Sequence, residues 1–230
     1  MIGAEALLRW AHPERGIVSP GEFIETAEAS RLIIPISEWV LREACLFSKR
    51  MEETGLADIT VSVNISPLHF RQQGLYQSVL HAIKVAGIAP HKLELEITES
   101  MAMAHQGNII DLLNNLKELG VGLAIDDFGT GYSSLSRLKD FPVDRLKIDR
   151  SFIIDMTIDN DHQAISAAIV RLGHALGLKV IAEGVETAAH LGILKGLECD
   201  EAQGYLFARP LLEDDLIGFM QTRNIGSAAA

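Results

Sequence analysis

The chain has little of several features that would restrict its class. Only two of its 230 residues are cysteines, Cys45 and Cys199, too few and too widely spaced for a disulfide framework or a zinc site. The cysteine content therefore indicates a reducing compartment. No apolar run approaches the roughly 20 residues of a membrane span, and the first residues lack the order of a signal peptide. We therefore expect a soluble cytoplasmic chain, or the cytoplasmic domain of a larger membrane-bound protein, with no membrane contact of its own.

Positive charge is also scarce. Lys and Arg number 20 against 31 Asp and Glu, a formal net charge of -11, which argues against a surface that binds DNA, RNA or an anionic membrane. It does not exclude a small phosphate ligand, because metal ions can neutralise phosphates in a pocket. With 48% hydrophobic residues, the chain is long enough for one large α/β domain. We place this domain at residues 1–224 and a flexible tail at residues 225–230.

Short apolar runs alternate with longer amphipathic runs along the whole chain. This alternation is typical of a parallel sheet whose strands are connected by helices. The first helix has a clear start signal, because Ser19 can cap it, Pro20 suits its first position and Glu22 can complete a capping box. The seven predicted strands lie near residues 2–9, 59–66, 92–98, 121–126, 144–149, 178–184 and 199–206, and later helices near 35–53, 67–86, 106–119, 161–176, 187–197 and 211–222.

Nearly every predicted strand carries an ionisable or amide side chain towards its carboxyl end. In a (β/α)₈ barrel these ends surround one active-site face, whereas an open doubly wound sheet gathers only a few polar groups at its switch point. The pattern therefore favours the barrel. The residues concerned are Glu5, Asn64, Glu96, Glu99, Asp126, Asp127, Lys147, Asp149, Glu183, Glu186 and Gln203.

The stretch at residues 123–134, LAIDDFGTGYSS, is the centre of this pattern. A buried strand ends there in Asp126 and Asp127, and Ser133 or Ser134 can cap a following helix. Adjacent side chains of a strand point to opposite faces, so the two carboxylates converge only if the chain turns. Two like charges this close raise each other's pKa unless a cation or a shared proton is present. A solvated Asp-Asp turn is the alternative, and the other polar strand ends argue against it.

The chemistry of these strand ends is that of a hard cation. Oxygen donors suit Mg²⁺ or Mn²⁺, whereas zinc more often recruits His or Cys. Five carboxylates exceed what one ion needs, so two ions about 3.5–4 Å apart could activate water against a phosphodiester. Arg9 and Lys147 then supply positive charge to the phosphate and near the water, and for any single member a salt bridge is the alternative. The candidate metal ligands are Glu5, Asn64, Glu96, Asp126, Asp127 and Glu183.

These residues lie in motifs that resemble a known family. Glu5-Ala6-Leu7, followed by Leu8-Arg9-Trp10, resembles the name-giving motif of the EAL family of cyclic di-GMP (c-di-GMP) phosphodiesterases. The resemblance implies a TIM-type (β/α)₈ barrel of the EAL variant, which hydrolyses c-di-GMP to linear pGpG with Mg²⁺ or Mn²⁺. Further matching motifs follow in order at residues 63–66 (VNIS), 96–99 (EITE), 126–131 (DDFGTG), 147–149 (KID), 182–186 (AEGVE) and 203–205 (QGY).

The same resemblance implies a role for each residue. It gives Lys147, Glu183 and Glu5 catalytic roles, with Lys147 orienting the water. It implies that Arg9, Leu7, Asp149 and Gln203 lie near the substrate, and that Glu99 and Glu186 steady loops. It also implies a homodimer through residues 127–140 and an upstream sensory or GGDEF domain in the full-length protein.

One departure from the family pattern and one alternative function stay open. The family's usual first antiparallel strand and the helix before it have no counterpart in this sequence, so the barrel is expected to lack them, with substrate affinity and closure affected. A module that binds c-di-GMP or a partner protein without hydrolysis is the alternative function. Degenerate members of the family typically lose metal carboxylates or the lysine, and none of these residues is lost here.

Overall fold

The structure is a computed structural model that describes residues 1–56, 58–72, 74–103, 108–131 and 135–227. Within these residues the chain forms two compact units. The first unit is drawn from Met1–Leu95, Glu118–Gly122 and the residues from Leu211 onward, and the second from Glu96–Lys117 and Leu123–Pro210. No helix in the described ranges is both long and apolar enough to cross a membrane.

Seven strands form one sheet in the hydrogen-bonded order β1-β4-β5-β6-β7-β8-β9, where the labels follow the chain. The pairs β1/β4, β6/β7, β7/β8 and β8/β9 are parallel. All seven predicted strands are present, and the predicted α/β class is confirmed. The strands are β1 (Gly3–Ala6), β2 (Trp10–His12), β3 (Gly16–Val18), β4 (Thr60–Asn64), β5 (Leu93–Thr98), β6 (Gly122–Phe128), β7 (Arg145–Ile148), β8 (Lys179–Ala182) and β9 (Glu201–Ala202).

Helices occupy the connections, as predicted, and the short helix expected after Ser134 is present at Leu135–Leu138. Two further short helices, at Glu99–Met103 and Arg150–Ile154, were not indicated by the sequence pattern. Helices of four or five residues are too short for a recognisable 3.6-residue period. The helices are α1 (Pro20–Ala29), α2 (Ile33–Glu53), α3 (Pro67–Arg71), α4 (Leu75–Ala86), α5 (Glu99–Met103), α6 (Asn108–Leu119), α7 (Leu135–Leu138), α8 (Arg150–Ile154), α9 (Asn160–Ala175), α10 (Ala188–Gly196) and α11 (Glu213–Ser227).

Two local predictions about helices are wrong. The helix predicted at residues 67–86 is divided into α3 and α4, and Gly74 before α4 has φ 143, which no right-handed helix contains. The capping box at α1 does not form. Pro20 begins the helix as expected, but Ser19 makes no side-chain cap hydrogen bond, and the carboxylate of Glu22 forms an ion pair with Arg15 instead.

Each unit has an apolar core built from its own strands and helices. In the first unit, Leu41 and Cys45 of α2 and Val79 of α4 are fully buried. In the second unit, Leu123 and Ile125 of β6 are fully buried. Ala124 between them points to the opposite face of the strand and is fully buried as well. Strands that are buried on both faces belong to a sheet covered by helices. Each such side chain contributes roughly 1.5–3 kcal/mol to folding.

Candidate functional site

A buried lysine lies at the centre of a carboxylate cluster in the second unit. The ammonium nitrogen (Nζ) of Lys147 lies 2.8 Å from Oε2 of Glu96, 3.3 Å from Oδ1 of Asp126 and 2.6 Å from Oε1 of Glu183. Only 2% of the lysine side chain is exposed. The four residues come from β5, β6, β7 and the residue that follows β8, which are consecutive in the sheet order. The predicted convergence of these four strand ends is therefore present.

Because the cluster is buried, each charged group in it needs its oppositely charged neighbours to stay ionised. An ionised group is costly to bury unless opposite charges and hydrogen bonds compensate for its lost hydration. The ammonium of Lys147 and the carboxylate of Glu96, which is also 2% exposed, therefore depend on each other. The ammonium of Lys147 contacts all three of these carboxylates.

The chain turns at Asp126 and Asp127, so the two carboxylates are not held on opposite faces of a regular strand. The pairing of β6 with β7 shifts in register between Ile125 and Phe128, which marks a β-bulge. Asp127 adopts the left-handed conformation with φ 53, and its backbone N–H donates to Oδ1 of Asp126 at 2.9 Å. Bulges of this kind redirect side chains and are frequent beside active sites. The alternative of a solvated Asp-Asp turn fails for Asp126, which is 7% exposed.

Asp127 carries the electrostatic signature of an acidic cluster. Burial, followed by the negative charges of Asp126 and Asp149, raises the pKa of the Asp127 carboxyl to about 6. A side-chain hydrogen bond with Asp149 raises this pKa as well, and two carboxyl groups can form such a bond only by sharing a proton. Asp149 is itself fixed as the N-cap of α8, where its Oδ1 accepts from the backbone N–H of Ser151 at 2.9 Å.

Glu99 holds the turn that follows the aspartate pair. Its side chain, 2% exposed, accepts a hydrogen bond through Oε2 from the backbone N–H of Gly129 at 2.9 Å. The loop-stabilising role of Glu99 stays a prediction, and this hydrogen bond is the observation in its favour. The predicted caps Ser133 and Ser134 lie outside the described residues.

Phe152 closes the other side of the same turn. A Cβ added to Gly129 would lie 2.8 Å from Cε2 of Phe152 and 3.1 Å from Cδ1 of Ile169, and the φ of Gly129 is +101. Both the left-handed backbone and the close ring therefore require glycine at this position. The sequence analysis did not identify Phe152, although its position three residues after Asp149, at the start of a helix, placed it close to the predicted strand end.

The loop after β8 fixes Glu183 and Gln203 through the backbone. The N–H of Glu183 donates to the carbonyl of Ile148 at 3.2 Å, and the N–H of Val185 donates to the carbonyl of Gln203 at 2.9 Å. Gly204 permits this approach, because a Cβ there would lie 2.3 Å from the backbone of Val185. The end of β8 and the predicted substrate residue Gln203 are thus held together.

His190 is a second residue that the sequence analysis missed. It is 5% exposed, lies near the start of α10, and its Nδ1 accepts a long hydrogen bond from the backbone N–H of Glu186 at 3.4 Å. This bond lies at the weak end of the range for N–H donors. In the sequence, the one indication of this contact was that His190 follows Glu186, a predicted loop-stabilising residue, by four positions. His190 thus contacts the backbone of Glu186, whereas Glu186 itself is exposed.

Four predicted residues belong to the first unit. Oε1 of Glu5 accepts a hydrogen bond from Nδ2 of Asn64 at 2.7 Å, because β1 and β4 are parallel neighbours in which Glu5 is paired with Ser62. Leu7 is 44% exposed. Arg9 is exposed, and its guanidinium donates to the carbonyl of Leu8 at 2.7 Å. The structure therefore pairs Glu5 with Asn64 and leaves Leu7 and Arg9 at the surface between β1 and β2.

The oxygen donors of the second unit are of the type that binds a divalent cation. In the described ranges, no group of three or more His, Cys, Asp or Glu side chains is arranged to hold a metal ion. In the second unit, however, the carboxylates of Glu96, Asp126 and Glu183 converge within 3.3 Å of the Lys147 ammonium, and the charge of Asp126 acts on the neighbouring Asp127 carboxyl. All four supply hard oxygen donors of the kind that Mg²⁺ and Mn²⁺ prefer.

Comparison with known proteins gives consistent matches. The sequence model of the EAL domain matches residues 1–210. The bifunctional diguanylate cyclase/cyclic di-GMP phosphodiesterase MucR of Pseudomonas aeruginosa is 48% identical over 217 residues, covering 94% of this chain and 32% of MucR. The cyclic di-GMP phosphodiesterase NbdA of the same organism is 45% identical over 207 residues, covering 90% of this chain and 26% of NbdA. The chain thus spans about a third or less of the length of these curated relatives.

Solved structures agree with the predicted fold. The PaMucR phosphodiesterase in complex with c-di-GMP matches with a TM-score of 0.92 at 48% identity, over 94% of this chain and 87% of that chain. The cAMP-bound form of the EAL enzyme Bd1971 matches with a TM-score of 0.90 at 33% identity, over 96% of this chain and 62% of that chain. The TIM-barrel-like fold predicted from the sequence is therefore confirmed. This chain belongs to the EAL domain family.

Proposed function

We propose that this chain is a metal-dependent phosphodiesterase that hydrolyses c-di-GMP to linear pGpG and so lowers the level of this second messenger. The observation that carries the proposal is the buried contact of Lys147 with Glu96, Asp126 and Glu183. A fold can host many activities, so the argument must rest on the site. The names of MucR and NbdA, which both include cyclic di-GMP phosphodiesterase, support the substrate.

The charge of the cluster supports a divalent metal. Burial, followed by the negative charges of Asp126 and Asp149, raises the pKa of Asp127 to about 6, and a bound divalent cation would offset both effects. We propose that Glu96, Asp126, Asp127 and Glu183 hold Mg²⁺ or Mn²⁺, with two ions expected. Such ions would neutralise phosphate charge and lower the pKa of a bound water. Glu5 and Asn64, which pair in the first unit, stay predicted ligands.

Lys147 is proposed to orient the attacking water. Its ammonium has three donors on a flexible stem, and the neighbouring strand ends hold it within 3.3 Å of three carboxylate oxygens. A point charge held in a dry site stabilises developing negative charge without reorganisation. Glu183, at 2.6 Å from this ammonium, fixes its position and is the proposed acceptor for a proton of the water.

The remaining predicted residues are proposed to contact the substrate. Arg9 can bind a phosphate through its bidentate guanidinium, and its exposure leaves it accessible to a ligand. Asp149 and Gln203 are held beside the Asp127 carboxyl and the end of β8 respectively. Leu7, 44% exposed, offers apolar surface.

We also propose that the chain forms a homodimer through residues 127–140 and belongs to a larger protein with a GGDEF or sensory domain. Phe152 of α8 packs against Gly129 within this range, and the residues that follow Phe152 expose apolar side chains that could extend the same surface, with Ile158 84% exposed, Ile154 37% and Ile165 39%. Apolar exposure of this kind is typical of interaction surfaces. An Ile158→Asp variant should shift the molar mass by light scattering from dimer to monomer, and an unchanged mass would contradict this surface.

The experiment that tests the proposed activity separates hydrolysis from binding. The purified chain is incubated with c-di-GMP and Mg²⁺, with Mn²⁺, or with a chelator, and the products are separated by chromatography. Linear pGpG that appears only with a divalent metal supports the proposal. Calorimetric binding of c-di-GMP without any pGpG would instead establish the non-hydrolysing alternative.

A further inference from the structure

The β2–β3 hairpin in the first unit is organised by one imidazole. Its strands are antiparallel, with Trp10 paired to Val18 and His12 to Gly16. Nδ1 of His12 accepts hydrogen bonds from the backbone N–H of Glu14 at 3.1 Å and from that of Arg15 at 3.2 Å. A ring nitrogen can accept only when it carries no proton, so Nε2 holds the hydrogen of the neutral ring. The His12 side chain thus accepts hydrogen bonds from two backbone N–H groups of the turn between β2 and β3.

The hairpin is also fixed to α1 at both of its ends. The ring of Trp10 contacts His12 edge-on at 4.8 Å between centroids and Phe23 of α1 at 5.8 Å. At the turn, Arg15 forms an ion pair with Glu22 of the same helix. Edge-to-face aromatic pairs add to apolar burial. The turn and the base of the hairpin therefore cannot shift independently of α1.

The anchored hairpin determines the position of the backbone of Arg9, the residue before β2. Arg9 is bonded directly to Trp10, and its only described side-chain contact is with the carbonyl of the adjacent Leu8. No other part of the described chain is shown to hold its guanidinium. The backbone from which Arg9 extends is therefore fixed mainly by the hairpin. Affinity gained from a long, rotamer-rich side chain depends strongly on such preorganisation.

We propose that His12 is a positioning residue for Arg9: through the turn and the Trp10–Phe23 contact it holds the hairpin so that the guanidinium meets the substrate phosphate. The inference rests on the proposed function, in which Arg9 binds c-di-GMP. A hairpin whose His12 served only local stability would leave substrate affinity unchanged as long as the protein stayed folded.

The test compares two substitutions of the same histidine. In His12→Leu the acceptor is lost, so we expect KM for c-di-GMP to rise by about tenfold or more with kcat changed by less than about threefold. In His12→Asn the side-chain oxygen can accept from the backbone N–H two residues on, so KM should return to within about threefold of the parent value. His81→Leu, an exposed histidine of α4 in the same unit, is the matched control and should change neither parameter.

A second readout does not depend on turnover. The chain has two tryptophans, so in a Trp39→Phe background the fluorescence of Trp10 reports on the hairpin alone. His12→Leu should shift this emission to longer wavelength, and His12→Asn should not. Should His12→Leu fail to fold, Phe23→Leu loosens the Trp10 contact without changing the turn, and its KM should rise by a few fold.

The outcomes separate the two proposals. If the parent binds but does not hydrolyse c-di-GMP, the proposed function is wrong, and the dissociation constants of the same variants decide the inference. If the parent neither binds nor hydrolyses it, both proposals are overturned. An affinity in folded His12→Leu within about twofold of the parent, an equal loss in His12→Leu and His12→Asn, or a loss confined to kcat would each overturn the role of His12.

Discussion

The ammonium of Lys147 lies 2.6 Å from a carboxylate oxygen of Glu183, in a position where the lysine is 2% exposed. The register of β7 and β8 produces this contact, because Ile148 is paired with Ala182 and Glu183 follows directly. Removing either partner would leave a buried charge with less compensation, which is more costly than losing an exposed ion pair. The same contact therefore matters for stability and for the proposed chemistry.

Replacing this lysine should separate the two contributions. In Lys147→Met, the carboxylates lose their ammonium, so without metal we expect a lower melting temperature, and with Mg²⁺ most of that loss should be recovered. Hydrolysis should fall by about 100-fold or more even with Mg²⁺, because a donor to the reacting water is missing. Lys117→Met, which removes a more exposed ion pair with Asp144 at 2.8 Å, is the control. Hydrolysis by Lys147→Met within about tenfold of the parent, roughly 1.4 kcal/mol in the barrier, would contradict the assigned role.

Two glycines with similar backbone conformations allow a test of the turn after Asp127. Gly129 has φ +101 and a Cβ there would meet Phe152 at 2.8 Å, whereas Gly177 has φ +75 and nothing within 4 Å. Gly177→Ala should cost about 1 kcal/mol of unfolding free energy, the expense of a left-handed alanine. Gly129→Ala should cost more, because the ring clash adds to it, and it should also lower hydrolysis by displacing the aspartate pair. Equal losses of unfolding free energy in denaturant titrations would show that Phe152 does not restrict the turn.

Much of this site was predictable because polar strand ends in an α/β sheet have few structural explanations. The contacts of Lys147 with Glu96, Asp126 and Glu183 follow from strand order alone. The bulge at Asp127 was required by the argument that adjacent side chains otherwise diverge. The bulge places the backbone of Asp127 in the left-handed conformation. This conformation depends on contacts that are distant in sequence, so no local sequence pattern predicted it.

The failures have a common physical cause. The carboxylate of Glu22 forms an ion pair with Arg15 instead of completing the local capping box. Arg15 lies seven residues earlier, in the turn of a hairpin that was not predicted. Strands of three residues, such as β2 and β3, are too short to show a two-residue alternation. The position of the Phe152 ring against Gly129 arises from packing between separate elements. Tertiary contacts override local preference in each case.

The ends of the sheet should differ in local stability from its middle. Within the described residues β1 is the terminal strand of the sheet order, while β6 lies between β5 and β7. A terminal strand leaves one row of backbone groups without a strand partner. In the monomer, amides of residues 3–6 should therefore exchange with deuterium faster than those of residues 123–125, as mass spectrometry would show. Equal protection of the two segments would show that β1 is covered on its outer side.

Asp200 should give the protein an acid-dependent contribution to stability. Burial opposes ionisation of this carboxylate, but the ammonium of Lys179 at 2.6 Å and the backbone N–H of Val180 outweigh it. The net effect lowers the pKa of Asp200 from 3.8 to about 2. Because the folded value lies below the unfolded one, the stabilisation is present above about pH 4 and is lost as the pH falls towards about 2.

The matching measurement is the unfolding free energy of the parent and of Asp200→Asn. At pH 6 the variant should be less stable by about 1 kcal/mol, because solvent screens the interaction with the exposed Lys179. The difference should shrink as the pH is lowered from about 4 to about 2, because the parent then loses the same charge. A difference that stays constant over that range would mean that the carboxylate is not preferentially ionised in the folded state.

The most direct test of the proposed metal-dependent hydrolysis is the initial rate of pGpG formation by Glu96→Gln, measured beside Glu201→Gln at saturating Mg²⁺. Glu96 contacts Lys147 at 2.8 Å within the cluster, whereas Glu201 forms its ion pair with Arg145, at 3.1 Å. Both changes remove one charge from the second unit and leave a side chain of the same size. We predict that Glu96→Gln loses about 100-fold or more in rate and that Glu201→Gln stays within about threefold of the parent. Rates for the two variants within about threefold of each other would contradict the assignment of the carboxylate cluster as the catalytic centre.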